Sequence, residues 1–257
     1  MPPDRRDALL TTLVLCPQYQ WLWAVHDRGM PVLVHQLDVA LLCLEWAEER
    51  AELDLDVVVL GALIHDASKA PRATADDHRS HSRLMRMDPE PAADVSMALL
   101  AEAEQRSGVV LARETREHVR HVVLSHHGPY GRVHPRTPEA RLVAACDHFS
   151  STNHRVAPVD ANDILPLLDE GYRWREAAAR LGFGRELIKA RLREACDAEG
   201  VHAWTALLPI WRRNGRVATG GQTAELERAK EVLRLARRLP DSLLERVAAA
   251  TRGPVAV

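Results

Sequence analysis

A chain of 257 residues with 46% hydrophobic content has enough apolar material for one large or two small domains with buried cores, which argues against a disordered or fibrous protein. Its 34 basic and 36 acidic residues give a formal net charge of −2, so there is no general electrostatic attraction to nucleic acid or anionic membrane, and any such contact has to use a local patch. Cys16, Cys43, Cys146 and Cys196 lie far apart with no Cys-x-x-Cys spacing, which argues against a structural zinc site and a disulfide framework and fits a reducing cytoplasm.

In chain order, the first apolar run is residues 8–16, ALLTTLVLC. Asp4 and Asp7 cancel Arg5 and Arg6, and Leu15 is no cleavage-site residue, so the run reads as a buried N-terminal helix and not as a signal peptide. No apolar run approaches the roughly 18 residues of a membrane span. Aromatic residues are only 4% of the chain, and apolar residues recur three and four apart, so the fold is expected to be nearly all α. Leu37, Ala40, Leu41, Leu44 and Ala47 form such a stripe after His35, and VVVLGALI runs directly into His65-Asp66. Val119, Val122 and Val123 precede His126, while Leu142, Val143 and Cys146 precede Asp147. Each of these polar residues is therefore expected on, or at the end of, a helix with a buried face. Pro89, Pro91 and Gly-Pro-Tyr-Gly at 128–131 are read as loops, and a domain boundary is read near Ala157-Pro158.

His35, His65, Asp66, His81, His126 and Asp147 carry the chemistry. Neutral imidazoles and carboxylates are natural ligands of divalent transition metals, and four His with two Asp supply donors for two ions sharing one carboxylate. Among thirteen histidines a single His-Asp pair would be weak evidence, but this pair ends an apolar helix and is followed by Ala-Ser-Lys69. HDASK resembles the HDxGK signature of HD-domain phosphohydrolases, with Ala67-Ser68 in place of the more usual apolar-Gly. VLVHQLDVALLCLEWA resembles the helix with that family's first histidine, and HVVLSHHGPYGRVHPRTPEARLVAACDHFSS resembles the segment with its histidine pair and final aspartate. This last stretch is close in form to the HD domain of bacterial three-prime exoribonucleases of the YhaM type, whose HxxLM resembles HSRLM at His81. More loosely, the same stretch, ending in DHFSS, resembles the HD nuclease domain of the large subunit of type III CRISPR effectors. The resemblance spans roughly residues 30–155.

What it implies is a helical bundle with two divalent ions, of manganese, iron, nickel or zinc. His35, His65 and Asp147 would hold one ion and His81 and His126 the other, with Asp66 shared. His127 competes with His126, as a hydrogen-bond donor behind the ligands or as a ligand itself. Lys69, one turn beyond the pair, would meet a substrate phosphate or a ligand carboxylate. Asp66 and Lys69 are thus the candidate catalytic residues. His134 and Arg136 are candidate substrate contacts in the proline-rich loop, His78 is an alternative to His81, and His121 reads as structural.

Within residues 163–211, the run ILPLLDEGYRWREAAARLGFGRELIKARLREACDAEGVHAWTALLPIW from Ile164 resembles a four-helix LuxR-type DNA-binding domain without a gap. Glu176, Ala178, Leu181, Phe183, Ile188, Lys189, Leu192, Gly200, Val201 and Ala206 carry the pattern. The resemblance implies nucleic-acid contacts by Arg185, Lys189, Arg191 and Arg193 on the recognition helix. Gly184 departs from it, standing where Ser or Thr usually caps that helix. The alternative is a helical subdomain whose basic residues are a solvated face. Residues 222–250 read as one or two amphipathic helices that either dimerise or pack on the chain's own core. The expected organisation is an HD-type domain at 1–157, a helix-turn-helix-like domain at 158–215 and C-terminal helices at 216–257. The leading expectation is a cytoplasmic, metal-dependent phosphohydrolase acting as a phosphodiesterase or nuclease on a phosphoester substrate, a nucleotide or nucleic acid. A nucleotide-sensing DNA-binding regulator and an HD-fold di-iron oxygenase are the alternatives, and no membrane partner is expected.

Overall fold

A computed structural model describes residues 1–27, 29–48, 50–70, 81–154, 157–219 and 223–251. Among them are fourteen α-helices: α1 Pro3–Leu15, α2 Pro17–Gln20, α3 Val32–Ala47, α4 Leu55–Ile64, α5 His81–Met87, α6 Glu90–Ser107, α7 Arg113–Ser125, α8 Pro138–Phe149, α9 Ala161–Asp169, α10 Trp174–Leu181, α11 Arg185–Glu199, α12 Leu207–Asn214, α13 Thr223–Ala236 and α14 Asp241–Thr251. The strands among the described residues, β1 His26–Asp27 and β2 Met30–Pro31, are two residues each, so the fold is all-α as the composition and periodicity indicate. No helix among the described residues is long and apolar enough to cross a membrane. All four cysteines are buried free thiols.

The chain divides into two compact units. The first comprises Met1–Asp27, Pro31–Asn153 and the chain from Val232; the second comprises the short piece ending at Met30 and His154–Glu231. The main division thus falls at Asn153/His154, and the expected segment 216–257 is split between the units at Glu231/Val232.

In the first unit α4 is central, packed against α3, α7 and α8. Its sequence LDVVVLGALI offers no polar face, and a helix that is apolar all round has to be buried all round. Asp54 starts it by accepting from the amides of Asp56 at 3.0 Å and Val57 at 3.3 Å, satisfying donors that the first turn leaves free. Gly61 sets how closely α7 approaches: a Cβ there would lie 2.5 Å from Val122 Cγ1. α7 is amphipathic and buries Val119, Val122 and Val123, the stripe expected ahead of His126. Thr137 caps α8 through the Ala140 amide at 3.2 Å. The N-terminal run forms α1, which buries Leu9, Leu10, Leu13 and Val14 and packs on α6. α14 packs on α3 and α1 within this unit. Pro89 lies in the expected loop, the two-residue connection between α5 and α6, whereas Pro91 does not: it falls in the first turn of α6, where a missing amide hydrogen costs nothing and the fixed φ suits a helix. Gly128–Tyr130 is a short 3-10 turn.

The second unit packs α9–α12 around Ile164, Leu165, Ile188, Leu192 and Leu207, all essentially inaccessible. α9 opens with a capping box between Asp160 and Asp163, α10 ends at Gly182 with φ +78°, and α11 ends at Gly200 with φ +66°. The cap position of α11 is Gly184, which makes no side-chain hydrogen bond there.

Candidate metal centre

The centre is assembled from helix ends in the first unit. His65 directly follows α4 and His126 directly follows α7, each at the C-cap, while Asp147 lies in the last turn of α8. Helix C-termini carry partial negative charge from their unsatisfied carbonyls, so bringing the ends of α4 and α7 together creates a place suited to cations, while α8 runs on past Asp147 into a π-helical turn at Ser150–His154. His35 comes from the first turn of α3 and His81 is the first residue of α5. His35, His65, Asp66, His126 and Asp147 are buried, and His81 and His127 are half-buried.

Asp66 is the junction. Its Oδ2 lies 3.5 Å from His65 Nε2 and 3.8 Å from His35 Nε2. Its Oδ1 lies 2.9 Å from His81 Nε2 and 3.8 Å from His126 Nε2. The two oxygens of one carboxylate therefore address two separate imidazole groups. Donor atoms of His35, His65 and Asp66 lie within 4.8 Å of one another, and so do those of His81, His126 and His127. Asp147 joins the first group, with Oδ1 3.0 Å from His35 Nε2 and 3.7 Å from His65 Nε2. Lys69 donates to Asp66 Oδ2 at 2.7 Å and to Asp27 Oδ2 at 2.8 Å, so of its two expected partners the ligand carboxylate is the one it meets.

Four of the rings are held from behind. His65 Nδ1 donates to the Ala62 carbonyl at 2.7 Å and His126 Nδ1 to the Val123 carbonyl at 2.6 Å. A carbonyl only accepts, so these bonds place the proton on Nδ1 and direct Nε2 inward. Ser150 donates to Asp38 Oδ2 at 2.7 Å, which leaves its oxygen to accept from His35 Nδ1 at 3.0 Å. Ser68 Oγ lies 3.0 Å from His81 Nδ1. Ser151 donates to Asp147 Oδ1 at 3.1 Å. Hydrogen bonds behind the ligands fix tautomer and orientation, as metal-binding histidines require.

The charges suit the same purpose. Burial alone would raise the Asp66 carboxyl, but Lys69, His65 and His81 outweigh it and hold it well below the usual carboxylate range. Burial also opposes ionisation of Asp147, and the hydrogen bond from His35 with the charge of His65 overcomes it. For His65 burial favours the neutral ring, yet Asp66 and Asp147 turn the balance upward. Burial, then His65, pushes His126 well below its ordinary value, and burial, then His81, lowers His127 to about 4. Ionised carboxylates and neutral imidazoles are the ligand-competent forms, which the carboxylates, His126 and His127 take, while the upward pull on His65 is the attraction of those carboxylates for positive charge at that point.

Two observations show that divalent cations fit these residues. His65 Nε2, left with a lone pair by the proton on Nδ1, is buried without a hydrogen-bond partner, 3.5 Å from Asp66 Oδ2 and 3.7 Å from Asp147 Oδ1, ionised oxygens with no proton to give it. His126 Nε2, whose ring proton is on Nδ1, turns its lone pair inward 3.4 Å from His81 Nε2 and 3.8 Å from Asp66 Oδ1, so imidazole and carboxylate donors converge there on one point.

The other expected residues lie elsewhere. His134 and Arg136 are exposed in the loop. His121 Nε2 accepts from the Arg136 amide at 3.0 Å, a structural bond that anchors this loop to α7. His78 lies outside the described residues. On α11, Arg185 and Lys189 are exposed or half-buried and both pair with Glu186, and Arg193 is exposed on the same stripe. Arg191 is not on that stripe: it points to the other side of the helix, its side chain is only 14% exposed, and it pairs with Glu194 at 2.8 Å. The four basic residues therefore do not share one face.

Sequence reasoning missed Asp27, Asp38, Ser68, Ser150 and Ser151. Asp38 is one turn from His35, and the serines lie inside quoted motifs, so spacing offered a signal for some of them. Ser68 is the residue that departs from the HDxGK pattern, and its hydroxyl is what holds His81.

No curated protein and no solved structure matches the chain. Residues 32–152, a span that holds all seven converging histidines and aspartates, match the family model described as HD domain, and HD domains are typically metal-dependent hydrolases.

Proposed function

We propose that this protein is a metal-dependent phosphodiesterase that acts on a nucleotide or nucleic acid through a dinuclear His/Asp centre. The observation that carries the reading is the division of Asp66, with Oδ2 toward His35 and His65 and Oδ1 toward His81 and His126. His35, His65 and Asp147 would hold one ion, and His81 and His126, with His127 beside them, the other. When bound, such ions acidify water to a nucleophile at neutral pH and stabilise the charge that grows on phosphoryl oxygens.

The chain's own residues prepare the site for that chemistry. Backbone carbonyls and serine hydroxyls hold the rings so that reorganisation at the moment of reaction is small. Lys69 partly neutralises Asp66, keeping it ionised and fixed between the two ligand groups. The preference for a diester rests on the resemblance of the segment around His126-His127 to nuclease members of the superfamily.

The test is metal analysis of protein purified without chelator, followed by anaerobic assay of bis-p-nitrophenyl phosphate with Mn²⁺ and no reductant. Two metal equivalents with hydrolysis are expected. Strict dependence on iron and dioxygen, with no phosphoester cleaved, would overturn the reading in favour of an oxygenase.

A further inference from the structure

The second unit carries a cavity of its own. About 490 Å³ of space lies along one face of α11, within the range of small-ligand sites. Trp174, at the start of α10, and Trp204, in the 3-10 turn before α12, form one wall. Their ring centroids are 5.5 Å apart with the planes at 82°, so the two indoles make a corner. Leu192 and Val201 supply an apolar floor, while Lys189 and Arg193 bring cations to the rim.

These features specify a chemistry. Two half-buried indoles at a right angle offer one face and one edge to a flat ring, the geometry that aromatic pairs favour. Lys189 and Arg193 are four residues apart on one helix face, which sets their Cβ atoms about 5–6 Å apart, close enough for one phosphate to engage both. Asp197, one further turn along the same face, adds an acceptor suited to a ribose hydroxyl or a base amine. A planar base joined to a phosphate is the ligand that uses all three groups. A duplex does not, because its bases are stacked and their faces hidden.

We propose that this corner binds a single unpaired nucleotide unit, with the base against Trp174 and Trp204 and the phosphate on Lys189 and Arg193. The unit comes from a free nucleotide or from a single-stranded nucleic acid. The site lies wholly in the second unit and requires none of the metal-centre residues.

The test is fluorescence anisotropy of the full chain with three labelled probes: adenosine monophosphate, a short oligothymidylate and a duplex of matching length. Inorganic phosphate and an abasic sugar-phosphate strand serve as competitors. Binding of the mononucleotide assigns a free-nucleotide ligand, and binding of the oligonucleotide alone assigns a strand. Lys189→Ala with Arg193→Ala, and separately Trp204→Leu, should each weaken binding on the order of tenfold or more, since one base-aromatic stack is worth about 1–3 kcal/mol. Should Trp204→Leu fail to fold, the exposed Arg193 and half-buried Lys189 positions decide the matter. Unchanged binding in Asp66→Ala is expected and separates this site from the metal centre. The proposal is overturned if neither nucleotide probe binds, if the duplex binds as tightly as the single strand, if the abasic strand competes as well as one with bases, or if the charge variant binds like the wild type.

Discussion

Replacing Gly61 with alanine tests whether the contact of α4 with α7 sets the geometry of the centre. The added Cβ would lie 2.5 Å from Val122 Cγ1, 3.0 Å from its Cβ and 3.5 Å from its Cγ2. Comfortable carbon contacts lie at about 3.5–4.0 Å, so the helices have to separate by about 1 Å or Val122 has to leave its rotamer. Valine in a helix strongly prefers one χ1 well, which makes separation the easier response. Overpacking of this kind costs about 1–3 kcal/mol. Alanine returns about 1 kcal/mol through its better helix propensity, for a net loss of roughly 0–2 kcal/mol. The consequence for function follows from position: His65 is one turn beyond Gly61 and His126 one turn beyond Val122, and their rings are 4.9 Å apart. Separating the helices displaces one ligand from the other, so metal affinity should fall together with stability. Thermal unfolding of Gly61→Ala, Val122→Ala and the double variant, with metal content measured on each, forms the assay. The double variant should be less destabilised than the sum of the singles, because Val122→Ala removes the clash that the added Gly61 methyl creates, and that methyl fills part of the space Val122→Ala leaves. The reasoning is refuted if Gly61→Ala is as stable as the wild type, retains its metal, and adds linearly with Val122→Ala.

Asp66→Ala should remove binding of both metals and all hydrolysis while far-UV circular dichroism stays helical; retention of two metal equivalents with normal turnover would sink the dinuclear assignment. Ser150→Ala leaves Asp38 and His35 Nδ1 without the hydroxyl between them, and metal affinity measured by competitive chelation should drop about 10–100-fold, the usual effect of losing a bond behind a ligand. Lys69→Met removes the cation beside buried Asp66, and breaking such a pair costs about 3–5 kcal/mol when the partner stays charged. A bound divalent ion supplies replacement charge, so the melting temperature of Lys69→Met should rise more on adding Mn²⁺ than that of the wild type; equal shifts would argue against Lys69 acting through Asp66.

The sequence by itself determined the helices and the identity of the chemical groups. Hydrophobic periodicity is a local property, so the stripes of Leu37 to Ala47 and of Val119, Val122 and Val123, like the wholly apolar α4, could be read directly, with a histidine or aspartate at each end. The HD pair and the segment around His126-His127 carried the resemblance to HD domains, and residues 32–152 match the HD-domain family model. Tertiary structure decided everything that depends on distance across the chain. His35 meets Asp147 and Ser150 over separations of 112 and 115 residues, and no local pattern encodes such a contact. The turning of the two Asp66 oxygens to different imidazoles, the commitment of Lys69 to Asp27 and Asp66, and the serine hydroxyls behind His35 and His81 all arise from how the helices pack. On α11 the face was legible too: Lys189 and Arg193 are four residues apart and Arg191 falls between them, so the helical period alone sets Arg191 on the opposite side. What the fold added is its burial beside Glu194 and the cavity next to the other two. Side-chain type and helical face are set by nearest neighbours in sequence; which atoms converge is set by close packing of helices, as where Gly61 lets α7 come near enough for His126 to reach Asp66.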